Sequence, residues 1–468
     1  MPGLARKLLI SSLSSPNAQL TLFPSVLFLL WSLSWQLLLG LPQSNTRLPI
    51  VLSTAYLWIV DTIALHRGTW SIGSGTKLGI YLWPGLEVEE AVFFLVTNTM
   101  VVFGLCAFDN AIAILDAFPD LFPTVSNLPS PQRLVEALRV PESSYDSARL
   151  DGLRNALNIL SKKSRSFYLA SGVFSRRLRI DLVILYGFCR IADDLVDQAG
   201  DAKDAEIWIN HLSHFLKIVY SPRRTEKQYE AALAPFSPEA RSVLVLLPTD
   251  RLPPQPLHTL LDGFRSDVKF MKGSRTDPSS EPTLVRTERD LELYASRVAA
   301  TVAELCLHLV YFHDPGRSSN DRPVEPDCLE AGKRMGIALQ YINIVRDVAT
   351  DAVDGRCYIP AAWFKVPAPT SVQAFQAELM THRIRILDMA FALYAKNRKE
   401  IEKLPEYARG GIRVAVESYM EIGRVMREKI AKGQRLDMAG GGKEGRASVP
   451  RARRLWVGWT TMSGPRKL

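Results

Sequence analysis

The chain has 468 residues, 47% of them hydrophobic, and a formal net charge of +9 from 57 Lys+Arg against 48 Asp+Glu. That length and apolar content can bury more than one core, which excludes a disordered or fibrous protein. The modest basic excess suits anionic lipid, phosphate or nucleic acid equally, so charge alone selects no partner.

Five cysteines, Cys106, Cys189, Cys306, Cys328 and Cys357, show no paired spacing. They indicate neither a disulfide framework nor a zinc site, and they point to a reducing compartment.

In chain order, the first segment is the most apolar. Residues 20–41 ("LTLFPSVLFLLWSLSWQLLLGL") carry no charge over a length able to cross a bilayer, roughly 20 residues. This reads as a transmembrane helix and not as a cleaved leader, because more apolar segments follow. Residues 48–65, interrupted by Asp61, and residues 91–115 complete three expected spans in a membrane domain over 1–118. Residues 119–147 turn to Pro, Ser and isolated charges, a linker with one short helix at most. From 148 to 437, helical patterns run between Pro-rich loops without an internal repeat, so one all-α domain is expected. The remainder, 438–468, reads as a basic low-complexity tail, solvated or touching anionic lipid.

Two stretches of the all-α domain place acids where burial is expected. In "LVILYGFCRIADDLVD" (182–197), Asp193 and Asp197 border an apolar helical stripe and follow Arg190. In "QYINIVRDVATD" (340–351), Asn343, Asp347 and Asp351 share one face and Arg346 interrupts the row. Uncompensated carboxylates there would be costly, so a cation belongs between them. Oxygen-only ligand rows suit Mg²⁺, or Mn²⁺ in its place, far better than zinc or a redox metal. Magnesium normally shares its octahedron with phosphate oxygens, which implies a diphosphate ligand met by Arg190 and Arg346. A single row would more often be a solvated acidic face. Two rows, each with its own arginine, favour the site.

"SRSFYLASGVF" (164–174), "YGFCRIADDLVD" (186–197) and "QYINIVRDVATDAVDGRCYIP" (340–360) together resemble the squalene and phytoene synthases. The resemblance implies an all-α isoprenoid synthase fold preceded by transmembrane helices. It implies that Asp193, Asp194 and Asp197 form one metal-binding motif, and that Asp347 and Asp351, with Asn343 one turn earlier, form the second. Ser164, Ser166 and Phe167 would line the substrate channel. Tyr186 and Arg190 precede the first motif, Tyr294, Val298 and Ala299 would line the central cavity, and Arg356 and Tyr358 would cover the diphosphate.

The N-terminal segments "YLWIVDTIALHRGTW", "SGTKLGIYLW" and "LEVEEAVFFLVTNTMVVFGL" resemble the membrane lycopene cyclases that fungi fuse to phytoene synthase. That family is built from two similar halves, and material like the second half is what this chain contains, which leaves cyclase activity an open expectation. Ring closure needs a proton delivered and removed, work suited to carboxyl groups. Glu89, Glu90 and Asp61, with Glu87 behind them, are the candidates; acids at the aqueous end of a span are the plainer reading.

The resemblance implies head-to-head condensation of two geranylgeranyl diphosphates through a cyclopropyl diphosphate to phytoene, with no NADPH. A squalene synthase type enzyme, or an inactive membrane-tethered relative, are the alternatives. The expected partners are geranylgeranyl diphosphate, membrane lipid and other carotenoid enzymes, with no nucleic acid. The expected location is multi-pass in a membrane, with the synthase domain on the cytoplasmic side.

Overall fold

The computed structural model describes residues 43–69, 79–124, 128–174, 176–272, 285–314, 316, 323–364, 371–434, 436 and 447–466. The chain divides into two compact units, 1–144 and 145–468. The expected span at 20–41 lies outside the described residues.

In the first unit, α1 (Gln43–His66) and α2 (Val88–Ala117) pack on each other and flank a small hairpin, β1 (Tyr81–Trp83) and β2 (Leu86–Glu87). Gly85 makes the hairpin turn at φ +90°, and a side chain there would collide with His66, so glycine is required on both counts. Polar pairs hold the two helices together. Trp58 Nε1 donates to Ala91 O at 3.0 Å and Asn98 Nδ2 to Thr54 Oγ1 at 3.0 Å, while Trp83 Nε1 of β1 ties the hairpin to α1 by donating to Thr62 Oγ1 at 3.0 Å. The outward faces carry exposed Val51, Leu52, Ile59, Phe93, Val101 and Leu105, an apolar surface too continuous for water and suited to lipid. Both helices are long and apolar enough to cross a membrane. A short helix, α3 (Pro131–Arg139), follows, capped by Ser130 with Pro131 in the first turn.

The second unit is all-α. Its helices are α4 (Ser147–Lys163), α5 (Arg165–Ser171), α6 (Arg176–Asp197), α7 (Ala202–Val219), α8 (Glu226–Leu233), α9 (Pro238–Leu244) and α10 (Pro254–Lys272), then α11 (Glu288–Ala295), α12 (Thr301–Phe312), α13 (Pro326–Val353), α14 (Val372–Asn397), α15 (Glu406–Ala431) and α16 (Arg451–Met462). Side-chain caps set many of the starts, among them Ser164, Asp201 and the capping boxes at Thr225 and Thr287.

A π-turn, Ser296–Ala300, joins α11 to α12. The combined run Glu288–Phe312 also passes for a span by length and composition. Here the hydropathy serves core packing, because Leu291, Leu305, Leu309, Val310 and Tyr311 are buried among neighbouring helices.

The expectation of a low-complexity tail needs correction, since α16 folds onto α15. Glu421 of α15 is 1% exposed and is met by Arg453 Nε at 2.6 Å and Arg466 Nη1 at 2.5 Å, besides Arg424 of its own helix. Three guanidinium groups around one buried carboxylate anchor residues that composition alone marks as solvated. The low-complexity reading counted the arginines and overlooked the carboxylates waiting for them on α15.

Candidate active site

The first acidic row lies at the C-terminal end of α6. Leu185, Phe188, Ala192 and Val196 are buried in the core, and Asp193, Asp194 and Asp197 follow the edge of that stripe. Arg190, one turn earlier, holds Asp193 at 2.8 Å and also pairs with Asp194. Lys163, at the end of α4, reaches Asp194 at 2.9 Å. Asp197 is bound by Arg356 Nη2 at 2.8 Å.

The second row lies on α13. Arg346 grips Asp347 through two hydrogen bonds of 2.8 and 2.6 Å. Asn343 donates to Gln340 and accepts from the Tyr419 hydroxyl of α15, which also hydrogen-bonds Arg346. The α13 helix ends just after Asp351, whose carbonyl accepts from the Arg356 amide at 2.7 Å. Arg356 therefore ties the two rows together, its backbone on one and its guanidinium on the other.

A second connection runs through aromatic rings. Phe167 of α5 stacks on Tyr419 with centroids 5.1 Å apart and meets Tyr186 edge-on at 6.2 Å. Tyr186 in turn hydrogen-bonds Ser164, the cap of α5. Ser166 is buried alongside.

Behind the first row, Asp267 of α10 is buried and accepts from Tyr294 at 3.2 Å and Tyr358 at 2.8 Å; these two rings stack at 4.7 Å. The π-turn puts Val298 against Gly263 and the Ala299 carbonyl against Gly336, at both of which an added Cβ would clash. Glycine there lets α10 and α13 close on the turn.

Burial, with like charge beside it, strains the carboxylates of this site. Burial, with Asp197 and Asp194 alongside, pushes the Asp193 carboxyl up to about 6 against the pull of Arg190 and Arg356. Burial pushes Asp267 up to about 7, partly offset by Tyr358 and Arg356 and reinforced by Asp193 and Asp197. Burial works against the Arg356 charge, but Asp197, Tyr358 and Asp267 together outweigh it and its pKa rises. Burial pushes the Tyr186 phenol up to about 12.

Among the described residues, no three His, Cys, Asp or Glu side chains converge tightly enough to hold an ion without moving; arginine and lysine supply the countercharge. The donor chemistry nonetheless fits a hard divalent cation, being carboxylate and amide oxygen only. Added positive charge would relieve the stress that raises Asp193.

The structure thus gathers Asp193, Asp197, Arg356, Tyr358 and Tyr294 at one end, and Asn343, Arg346, Asp347, Phe167 and Tyr186 at the other. Arg190 and Arg346, expected on phosphate, engage carboxylates. Sequence reasoning missed Lys163, Asp267 and Tyr419. Asp267 had a signal, since in "LLDGFRSDVKF" it falls three residues after Phe264 and beside Val268 on an apolar stripe. Tyr419 had none, because a tyrosine among core residues is the ordinary case. In the first unit, Asp61 and Glu87 are buried, and Glu89 and Glu90 are half-buried in the first turn of α2, where acids complement the helix dipole.

The squalene/phytoene synthase family model matches residues 160–453. A bifunctional lycopene cyclase/phytoene synthase of Pyrenophora tritici-repentis is 47% identical over 442 residues, covering 93% of this chain and 72% of its own. One of Gibberella fujikuroi is 48% identical over 447 residues, covering 94% and 74%. A crystal structure of a dehydrosqualene synthase in complex with ligand covers 67% of this chain and 96% of its own, at 22% identity and a TM-score of 0.49.

Proposed function

Because the chain belongs to the squalene/phytoene synthase family, we propose that its all-α unit is a phytoene synthase that condenses two geranylgeranyl diphosphates. Family membership implies a prenyl diphosphate substrate and typically a divalent metal. The observation that carries the finer reading is the extended similarity to bifunctional lycopene cyclase/phytoene synthases across both units.

Asp193, Asp194 and Asp197 on α6, with Asn343, Asp347 and Asp351 on α13, would hold Mg²⁺. When bound, the metal neutralises the diphosphate that leaves the allylic carbon. The protein's own part is twofold. Lys163, Arg190, Arg346 and Arg356 surround the acids with donors that can turn to diphosphate oxygens and stabilise the charge that develops on departure. Phe167, Tyr186, Val298 and Ala299 present apolar surface that keeps water from the cation left behind. Joining the two chains releases one diphosphate and a proton to give a cyclopropyl diphosphate; loss of the second diphosphate, rearrangement and loss of a second proton give phytoene. No reductant enters that balance.

The membrane unit invites a second activity, since the relatives' similarity extends through α1 and α2. Glu89, Glu90 and Asp61 are the acids proposed to move the proton in ring closure. The apolar helices support a membrane location; in this reading the protein is multi-pass, with the synthase unit on the cytoplasmic side, near other carotenoid enzymes. Domain limits of 1–118 and 148 onward are part of this reading, with the synthase unit extended through α16.

The test is product analysis of the full chain in vesicles with Mg²⁺ and geranylgeranyl diphosphate, without NADPH. Phytoene is expected; a product formed only from farnesyl diphosphate with NADPH overturns the reading. Lycopene fed to the same vesicles should yield ring-bearing carotenoid, lost in Glu89→Gln/Glu90→Gln; unchanged lycopene removes the second activity.

A further inference from the structure

Helix α16 has two apolar faces. Its inner face, Val457, Gly458 and Thr461, is buried. Gly458 lets the backbone approach Leu169 of α5 and Val414 of α15, where an added Cβ would meet Leu169 at 3.3 Å. Its outer face carries Leu455, Trp456, Trp459 and Met462, and the two tryptophans are 67% and 70% exposed. These residues border an open groove of about 530 Å³ whose floor is Leu169, Val173 and Val414.

Two large indoles a turn apart on a helix surface are unusual for a protein bathed only in water. The surrounding charge is basic. Arg451 begins the helix and is exposed, while Arg454 lies near enough to Arg165 of α5 that burial and that neighbour together depress its pKa. Arg454 Nη2 donates to the Val449 carbonyl at 2.8 Å, and its Nε is buried without a hydrogen bond. By contrast Arg453 turns inward to Glu421 and Glu428. The outer face thus presents tryptophan, leucine and methionine rimmed by arginines, the composition of a helix lying in a membrane interface.

We propose that this face of α16 docks on the surface of an anionic phospholipid bilayer, with Trp456 and Trp459 in the headgroup and acyl boundary and Arg451, Arg454 and Arg165 on lipid phosphates. The same chain carries apolar helices able to span a membrane, so a bilayer is within reach. Docking would bring α5 to the lipid surface. Ser164, Ser166 and Phe167 of that segment stand beside the acidic rows, so a prenyl lipid would pass between membrane and site without crossing water. This goes beyond the proposed reaction, and its test does not use turnover.

The full chain is reconstituted in vesicles containing a phospholipid with a photoreactive acyl chain, irradiated and digested with trypsin. Lipid adducts are expected on the peptide Leu455–Arg466, at about threefold or more over the peptide Gln228–Arg241 that contains most of α8. They should increase when phosphatidylserine joins phosphatidylcholine. Trp456→Gln/Trp459→Gln should remove the adducts, and Arg451→Gln/Arg165→Gln, which leaves the cleavage site at Arg454 intact, should remove the phosphatidylserine effect while circular dichroism stays unchanged. Labelling of Leu455–Arg466 no higher than that of Gln228–Arg241 overturns the proposal. So does a cross-link joining this peptide to a second copy or to the α1–α2 segment instead of to lipid.

Discussion

Arg356 Nη2 lies 2.8 Å from Asp197 Oδ1, while the Arg356 backbone amide donates to the carbonyl of Asp351 at 2.7 Å. One residue thereby couples the end of α6 to the end of α13, and its charge stands between the two acidic rows. Arg356→Gln should lower turnover by about 10²-fold, with Arg356→Lys recovering only part, since an ammonium cannot reproduce the fork. Steady-state kinetics with geranylgeranyl diphosphate and Mg²⁺ checks this; equal recovery by lysine would reduce the role of Arg356 to simple charge.

Tyr419 offers a cleaner separation of packing from polarity. Tyr419→Phe keeps the ring stacked on Phe167 but removes the hydroxyl from Asn343 and Arg346. Turnover should fall about tenfold, with the melting temperature lowered only slightly, because a hydrogen bond contributes about 1 kcal/mol. Kinetics and thermal melts on one preparation test both halves.

Asp267 gives a pH signature. Its folded pKa is raised to about 7, chiefly by burial, so the folded state binds the proton more tightly than the unfolded chain. Stability associated with this group is present below about pH 4 and is lost as pH rises to about 7. Asp267→Asn, neutral throughout, should then be more stable than the parent above pH 7 by about 4 kcal/mol, an advantage that vanishes near pH 4. Thermal melts across that range decide it; a pH-independent difference would mean that hydrogen bonding to Tyr294 and Tyr358 dominates.

The C-terminal helix supplies a stability test. A chain ending at Asp437 loses Arg453 and Arg466 from the buried Glu421. The cost should be about 3 kcal/mol, since a buried carboxylate is left with Arg424 alone. Glu421→Gln in the full chain should cost less, because it removes the charge as well. Truncation without effect on the melting temperature would show that α16 contributes nothing to the fold.

Much of this was legible in the chain itself. Helical periodicity in 182–197 and 340–351 marked both rows, because an acid beside an apolar stripe breaks a pattern that is otherwise regular. The partners were less visible. Lys163 and Arg356 lie at helix ends whose meeting depends on tertiary packing, and no local spacing encodes it. Asp267 carried the same broken-stripe signal but stood alone, without an arginine to mark it. The tail misled for the opposite reason. Glycine and arginine dominate its composition, while the feature that folds it, Glu421, lies on α15. In the membrane unit, α1 and α2 follow directly from hydropathy, and the hairpin between them rests on one turn glycine, Gly85.

The most direct test of the two-row account is the turnover of Asp193→Asn and Asp347→Asn, each in the full chain with saturating Mg²⁺ and geranylgeranyl diphosphate. Both should lose about 10³-fold or more with unchanged circular dichroism, because each row is needed to stabilise the departing diphosphate. Either variant retaining near-full rate would contradict the claim that α6 and α13 act on the same diphosphate.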